Sequence, residues 1–320
     1  MFVCPLCKNK LRKFSSPEFD FLSCQKDTCK LYEYKYTFEN QVLNLIPFDL
    51  DLCVLKKSSE KNNSNFGLKL RKLDIFRRKL RSISTKIFKG TNKKTIKNFN
   101  YLKNSLRDNS KVLVIGGGSI GYGMQGFYKQ CLETNVEYHS IDVYFSDKVT
   151  LIADAHYLPF PADYFDIVII QAVLEHVISP EKVVSEIYRV LAEKGIVYSE
   201  TPFLQPVHEG PYDFTRFTNS GHRWLFRKFD EISSGSHQGA FQALLYVGSY
   251  ALSALFRNRS VGIFIRLLFA RLAKILDYFL EDESNIDISA GNFFMGYKKG
   301  DNVSIDHSKW IINYYKGNQK

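Results

Sequence analysis

Two groups of residues in this chain have the types and spacing to do chemistry. The first is four thiols. Cys4 and Cys7 are separated by two residues and Cys24 and Cys29 by four, with sixteen residues between the pairs. Cysteine pairs on short turns can set four thiolates tetrahedrally around one Zn²⁺ at about 2.3 Å. Of the six cysteines, only Cys53 and Cys131 lie outside the first thirty residues, which reads as a metal site more than a disulfide framework. The second group begins with Gly116-Gly117-Gly118-Ser119-Ile120-Gly121, directly after the apolar run Lys111–Ile115. A glycine turn after a strand lets a ligand approach the backbone, and the start of a following helix offers unbonded N–H groups. Asp142 ends the next expected strand, 26 residues after Gly116. A carboxylate there can accept hydrogen bonds from two ribose hydroxyls. These features predict an adenosine-bearing cofactor. The spacing Gly116-x-Gly118-x-x-Gly121 also fits a dinucleotide loop, so a nicotinamide-dependent oxidoreductase is the competing expectation.

Such residues act together only if the chain brings them to one edge. Val136–Ile141 reads as a strand ending at Asp142, Val149–Ile152 as one ending at Asp154, and Asp166–Ile170 as one ending at Gln171. Gly126–Glu133 and Pro180–Ala192 read as helices, the second with Val183, Val184, Ile187, Val190 and Leu191 on one face. Gly195–Ser199 and Asn292–Lys298 complete the strands. The alternation predicts an α/β fold, a Rossmann-like parallel sheet with helices on both faces. Right-handed crossovers then gather Gly116, Asp142, Asp154 and Gln171 at the carboxyl edge, where ligands bind.

The 320 residues are 45% hydrophobic and 24% charged, which excludes a mostly disordered or collagen-like chain. Residues 1–110 hold 24 Lys+Arg against 10 Asp+Glu, a net of +14, whereas 111–320 hold 20 against 23, a net of −3. The excess is concentrated in 56–107, with 17 basic and 2 acidic residues. Within it, Leu73, Phe76, Leu80, Ile83 and Ile87 form one apolar helical stripe among basic residues. A helix over 71–89 suits anionic lipid, RNA phosphates or packing on its own protein. Ala240–Phe256 and Ser260–Leu280 also read as helices, for core or lid packing or for a membrane surface. The uncharged run Gly239–Phe256 has 18 residues, short of the ~20 of a spanning helix. The expected organisation is a zinc-ribbon head (1–50), a basic connector (51–94), a Rossmann-like domain (95–300) with a helical insertion (239–281), and a tail (301–320). No signal peptide follows Met1, so a reducing cytoplasm is expected, peripheral to the inner face of a membrane.

Motifs after the glycine turn narrow the cofactor. Asp154-Ala155-His156-Tyr157-Leu158-Pro159-Phe160-Pro161 is followed by Phe165–Ile170, then Val173-Leu174-Glu175-His176-Val177, then Arg189-Val190-Leu191 before Lys194-Gly195. In this order the chain, over about 110–300, resembles the class I S-adenosylmethionine-dependent methyltransferases of the type 11 group. The resemblance implies that Gly116, Gly117, Gly118 and Gly121 cradle the methionine part of S-adenosylmethionine and that Asp142 holds its ribose. It further implies that Asp154 and Ala155 meet the adenine edge and that Gln171 lines the methyl site. Val114 stands where the family commonly has an acidic residue. Farther on, His208-Glu209-Gly210-Pro211-Tyr212-Asp213-Phe214-Thr215-Arg216-Phe217-Thr218 is similar to a stretch in a subset of these enzymes. It is expected on the rim, with His208 as a base, Asp213 as its orienting partner, and Tyr212 and Arg216 as substrate contacts. The opposing reading is that Asp213 and Arg216 pair and shape the loop. His176 reads as a structural residue at a helix start.

The head, Phe2-Val3-Cys4-Pro5-Leu6-Cys7 with Leu43-Asn44-Leu45-Ile46-Pro47, resembles the zinc ribbon of certain ribosomal RNA guanine methyltransferases. It also resembles the small zinc-ribbon activator of tRNA and protein methyltransferases. The resemblance implies structural Zn²⁺ on Cys4, Cys7, Cys24 and Cys29. It leaves the acceptor open among a small molecule, a glycan and RNA, and leaves a non-catalytic adaptor binding RNA through its zinc head as the non-enzyme alternative.

Overall fold

The computed structural model describes residues 2–15, 19–46, 93–280, 282–300, 315 and 317. The head begins with β1 (Arg12–Ser15), β2 (Asp20–Ser23) and β3 (Lys35–Tyr36), a small antiparallel sheet. β4 (Phe38–Glu39) and β5 (Val42–Asn44) follow as a hairpin. Asn40 and Gln41 between them have φ of 48° and 68°, the paired left-handed residues of a type I′ turn. The basic stretch 71–89 and Cys53 lie outside the described residues.

The second unit opens with α1 (Lys93–Ser105), then β6 (Lys111–Ile115), α2 (Gln125–Glu133), β7 (Glu137–Asp142), β8 (Leu151–Ile152) and β9 (Phe165–Gln171). It continues with α3 (Pro180–Val190), β10 (Leu191–Pro202), α4 (Asn219–Leu225) and β11 (Phe229–Gln238). It closes with α5 (Ala240–Leu255), α6 (Arg259–Phe279), α7 (Asp282–Asp287) and β12 (Gly291–Lys298). The main sheet runs β11-β12-β10-β9-β6-β7-β8-β5-β4. Pairing is parallel from β10 through β5, and β12 is antiparallel to both β10 and β11.

Strands covered on both faces need apolar side chains at every position, and β9 buries Phe165, Ile167, Val168, Ile169 and Ile170. Alternate residues sort to opposite faces. Leu113, Ile115, Val168 and Ile170 pack with Val183, Val184, Ile187 and Val190 of α3. Val112, Val114, Ile167 and Ile169 pack with Phe99 and Leu102 of α1 and Phe127 and Cys131 of α2. Burial pushes the Cys131 thiol up to about 12, so it behaves as a small core apolar group.

The head is built into this body. β5 pairs in parallel with β8, Leu43 opposite Leu151. Cys4, Leu11, Cys24, Leu31 and Tyr36 are buried in the same cluster as α3 and Phe160. Val3 N–H donates to Pro159 C=O at 3.0 Å, and Lys8 Nζ reaches Glu186 of α3 at 2.7 Å.

The structure corrects the core reading of the C-terminal helices. α5 and α6 form a hairpin; α5 buries only Ala240, Ala243 and Ser249, and α6 only Gly262 and Ala273. The helices cross closely at Gly262, where a Cβ would fall 2.4 Å from Ser249 C=O. Asp277 of α6 accepts the Phe241 N–H (2.7 Å) and Gln242 N–H (3.2 Å), satisfying donors at the start of α5. Leu255, Phe256, Phe264, Leu268, Tyr278 and Phe279 remain exposed. No described helix is long and apolar enough to cross a membrane.

Candidate active site

The sheet order puts a switch point at β6. The chain runs from β6 to β7 and β8 on one side, then returns to β9 and β10 on the other. Open α/β sheets take ligands in the crevice outside the carboxyl ends at such a point. The register aligns those ends: Ile115 pairs with Ile141 and Ile170, and Gln171 with Glu200.

The glycine bend starts as β6 ends. Gly116 and Gly117 N–H groups both donate to Ile141 C=O at 2.9 Å. Gly116 is left-handed (φ 77°), and a Cβ on it would fall 2.2 Å from Val173 Cγ2. A Cβ would fall 1.9 Å from Ser140 Oγ at Gly117, 2.6 Å from Asp142 Oδ2 at Gly118, and 1.8 Å from Gln171 Oε1 at Gly121. Gly118 N–H donates to Asp142 Oδ2 at 2.9 Å, and Val143 N–H to Oδ1 at 2.7 Å. A carboxylate has about four lone-pair sites, so Asp142 can hold the bend and still accept from a ligand. Gln171 Nε2 donates to Tyr122 C=O (3.0 Å) and Glu200 Oε2 (2.6 Å). Its Oε1, against Gly121, is buried with no hydrogen-bond partner. Such an orphaned amide oxygen is open to an N–H or O–H donor from outside the chain.

Asp154 follows β8, whose Ile152 pairs with Asp142. Asp154 caps the turn Ala155–Tyr157; its Oδ1 accepts His156 N–H at 2.8 Å and lies 2.7 Å from His156 Nδ1. Asp154 and Ala155 are both buried. The Oδ1 of the carboxylate expected at an adenine edge thus also orders the turn that follows it.

The rim stretch does come to the edge. Tyr212 lies in the short turn Gly210–Tyr212, and its C=O accepts from His176 Nδ1 at 2.7 Å. His208 Nδ1 faces Asp213 Oδ2 at 3.4 Å, and His208 Nε2 faces Glu175 Oε1 at 3.8 Å. Both ring nitrogens of the expected base thus face carboxylates. Arg216 binds Asp213 with NH1 and NH2, and also donates to the carbonyls of Gln205, Pro206 and Thr215. The Arg216 guanidinium holds the Asp213 carboxyl down at about 2. Arg216 therefore ties the loop together, the pairing that the opposing reading expected.

Two carboxylates escaped the sequence reading. Glu200, near the carboxyl end of β10, accepts from Thr95 Oγ1 at 2.6 Å and from Tyr198 OH as well as from Gln171. Its signal was an acidic residue near the end of an otherwise apolar strand. Glu175 is fully buried, and burial pushes its carboxyl up to about 7. Its signal was the Glu-His pair just past β9, paired with a histidine on the rim.

Away from the crevice, the four head thiols converge. Cys4 and Cys29 Sγ atoms are 3.8 Å apart, Cys7 and Cys24 Sγ atoms 3.5 Å, and all four lie within 4.8 Å of one another. Tetrahedral thiolates at ~2.3 Å from a metal stand about 3.8 Å apart. The donor set fits a tetrathiolate metal site.

Residues 113–199 match the family profile of a methyltransferase domain. That span runs from β6 into β10 and contains the glycine bend, Asp142 and Gln171. The match supports a class I methyltransferase. No curated protein matches the chain. Among solved structures, phosphoethanolamine N-methyltransferase 2 of Haemonchus contortus with S-adenosyl-L-methionine is 18% identical, at TM-score 0.41 over 64% of this chain and 52% of that one. The same enzyme with phosphomonomethylethanolamine and S-adenosylhomocysteine is 17% identical, at TM-score 0.43 over 68% and 57%. Coclaurine N-methyltransferase bound to N-methylheliamine is 12% identical, at TM-score 0.41 over 68% and 78%. The chain spans little more than half the length of the Haemonchus contortus enzyme.

At the crevice, Glu200 accepts from Gln171 and holds its amide in place. Glu200→Ala removes one buried acceptor from Gln171, Thr95 and Tyr198 together. Urea unfolding should show a loss of about 2–4 kcal/mol, with Glu200→Gln losing less. Equal stability for Glu200→Ala and wild type would contradict this role.

Proposed function

We propose that this chain is an S-adenosylmethionine-dependent methyltransferase that methylates an oxygen or nitrogen nucleophile. The observation that carries this reading is the glycine bend held against Asp142 and Gln171 at the switch point, within the segment matching a methyltransferase domain. The buried, unpartnered Gln171 Oε1 suits the α-ammonium of the methionine part. Asp142 would accept from ribose hydroxyls. Gly116, Gly117, Gly118 and Gly121 keep the backbone clear of side chains. When bound, the cofactor supplies a methyl group on a positively charged sulfur. The rim from His208 to Arg216 would wall the acceptor side and exclude water, with Tyr212 at its edge; the acceptor is a small molecule, a glycan or RNA. Calorimetry should show S-adenosylhomocysteine binding that Asp142→Ala weakens at least tenfold while unfolding stays cooperative. Binding of NAD(H) in place of S-adenosylhomocysteine would replace the reading with an oxidoreductase.

The head is a zinc ribbon in this reading, with Zn²⁺ on Cys4, Cys7, Cys24 and Cys29. The spacing of the four Sγ atoms supports it. Elemental analysis of the purified chain should find zinc that Cys7→Ser reduces by one equivalent. Wild-type protein without zinc, its four thiols freely titratable, would refute the ribbon.

The α5–α6 hairpin is our candidate for contact with an anionic membrane surface. Residues 240–280 carry five basic residues (Arg257, Arg259, Arg266, Arg271, Lys274) and one acidic residue, Asp277, beside the exposed apolar side chains. That pairing suits interfacial binding driven by apolar area and anionic headgroups. Vesicles containing phosphatidylserine should sediment the chain, and Phe264→Ser with Phe279→Ser should reduce this several-fold. Equal sedimentation with neutral phosphatidylcholine vesicles would rule out the electrostatic part.

A further inference from the structure

Glu175, His176 and His208 lie together on the rim, and their arrangement is not that of ordinary packing. One ligand atom from each falls within 4.8 Å of the others. Glu175 Oε1 stands 3.6 Å from His176 Nε2 and 3.8 Å from His208 Nε2. The carboxylate is fully buried, and neither of its oxygens has a hydrogen-bond partner. The two rings meet edge to face, with centroids 4.9 Å apart.

The outer nitrogens set the tautomers. His176 Nδ1 lies 2.7 Å from Tyr212 C=O, an acceptor only, so Nδ1 carries the proton and Nε2 presents a lone pair. His208 Nδ1 faces Asp213 Oδ2 at 3.4 Å, and a proton held on that side leaves the Nε2 lone pair directed at Glu175. Two imidazole nitrogens and a buried carboxylate with no hydrogen-bond partner thus converge. A proton on Glu175 would answer one lone pair and leave the other facing an oxygen. A cation answers all three.

The outer partners also fit a metal. Ligating histidines commonly hand their second N–H to a carbonyl or carboxylate, which fixes ring orientation and basicity; Tyr212 C=O and Asp213 occupy those positions. Donors at ~2.1 Å from one ion stand about 3.0–3.4 Å apart for right-angle to tetrahedral geometry. The two Glu175 separations, 3.6 and 3.8 Å, are a few tenths of an ångström wider, and the two imidazole nitrogens lie within 4.8 Å of each other, so ion binding draws the three side chains together.

We propose that Glu175, His176 and His208 form a second metal site that takes a divalent first-row cation, separate from the head thiols. Two histidines and one carboxylate leave further coordination positions for water or a ligand oxygen. The site stands beside the glycine bend: Val173, two residues before Glu175, is the side chain against Gly116. The Thr215 and Phe214 N–H groups donate to Glu175 C=O, which pins the rim to this turn. His208 is then a ligand, and Asp213 a positioning residue that acts through it.

The test compares metal content of full-length chains that have been stripped with chelator, saturated with Zn²⁺ and gel-filtered. Glu175→Gln, His176→Gln and His208→Gln should each hold one zinc fewer than wild type, with unchanged far-ultraviolet circular dichroism. Mn²⁺, which disfavours thiolate sites, should show one saturable site by electron paramagnetic resonance in stripped wild type. Each of the three variants should bind it at least tenfold more weakly, and Asp213→Asn should weaken it by a smaller factor. Because the readout is a difference from wild type, it stands whether or not the head holds zinc. S-adenosylhomocysteine binding, measured on the same variants, separates this site from the methyl-donor crevice. Equal zinc content in wild type and all three variants, or Mn²⁺ binding that none of them alters, would overturn the proposal.

Discussion

The structure depends on a backbone that carries no side chain where β6 ends. Four different neighbours occupy the space that Cβ atoms would need: Val173 at Gly116, Ser140 at Gly117, Asp142 at Gly118 and Gln171 at Gly121. Those neighbours come from β7, β9 and the turn after β9. The bend is therefore the piece that holds both sides of the switch point at one distance. Glycine is conformationally costly in the unfolded chain. Four in six residues are retained here because a Cβ at any of the four would collide with a strand end or the turn beyond it.

The polar layer beneath the bend has the same logic. Glu200 accepts from three side chains that belong to α1, β9 and β10. A buried carboxylate is tolerated when donors surround it, and each donor here belongs to an element that the crevice needs in place. Gly123 extends the arrangement, since a Cβ on it would fall 2.8 Å from Thr95 Cγ2. The floor of the site is thus a hydrogen-bonded layer, and its upper surface is backbone.

Much of this was legible because strand period and turn chemistry are local. The apolar runs ending at Asp142 and Gln171 appear as β7 and β9, and Pro180–Val190 forms the amphipathic α3. α1 was missed because its sequence lies at the end of the basic stretch, where charge obscures a stripe made of Thr95, Phe99 and Leu102. β11 was missed because Phe229–Gln238 is half exposed and rich in serine. Asp154 and Arg216 share one physical cause. Sequence shows that a charged group is near an edge, but not which donors and acceptors lie within 3 Å of it. His156 takes the first and Asp213 the second. The head was readable as a cysteine cluster, whereas its pairing through β5 to β8 is a non-local hydrogen-bond ladder with no sequence signal.

The rim follows from how Arg216 is spent. A guanidinium has five N–H donors in a fixed fork, and here they go to one carboxylate and three carbonyls of the same loop. Such a loop is stiff, and it offers an incoming molecule no cationic clamp from Arg216. What it offers instead is imidazole and carboxylate, held by Tyr212 C=O and Asp213. These groups recognise cations and hydroxyl protons rather than phosphates. The rim therefore carries buried carboxylates at Glu175 and Asp213, although the chain as a whole is basic. The positive charge that would attract a polyanion is concentrated in the N-terminal third of the sequence.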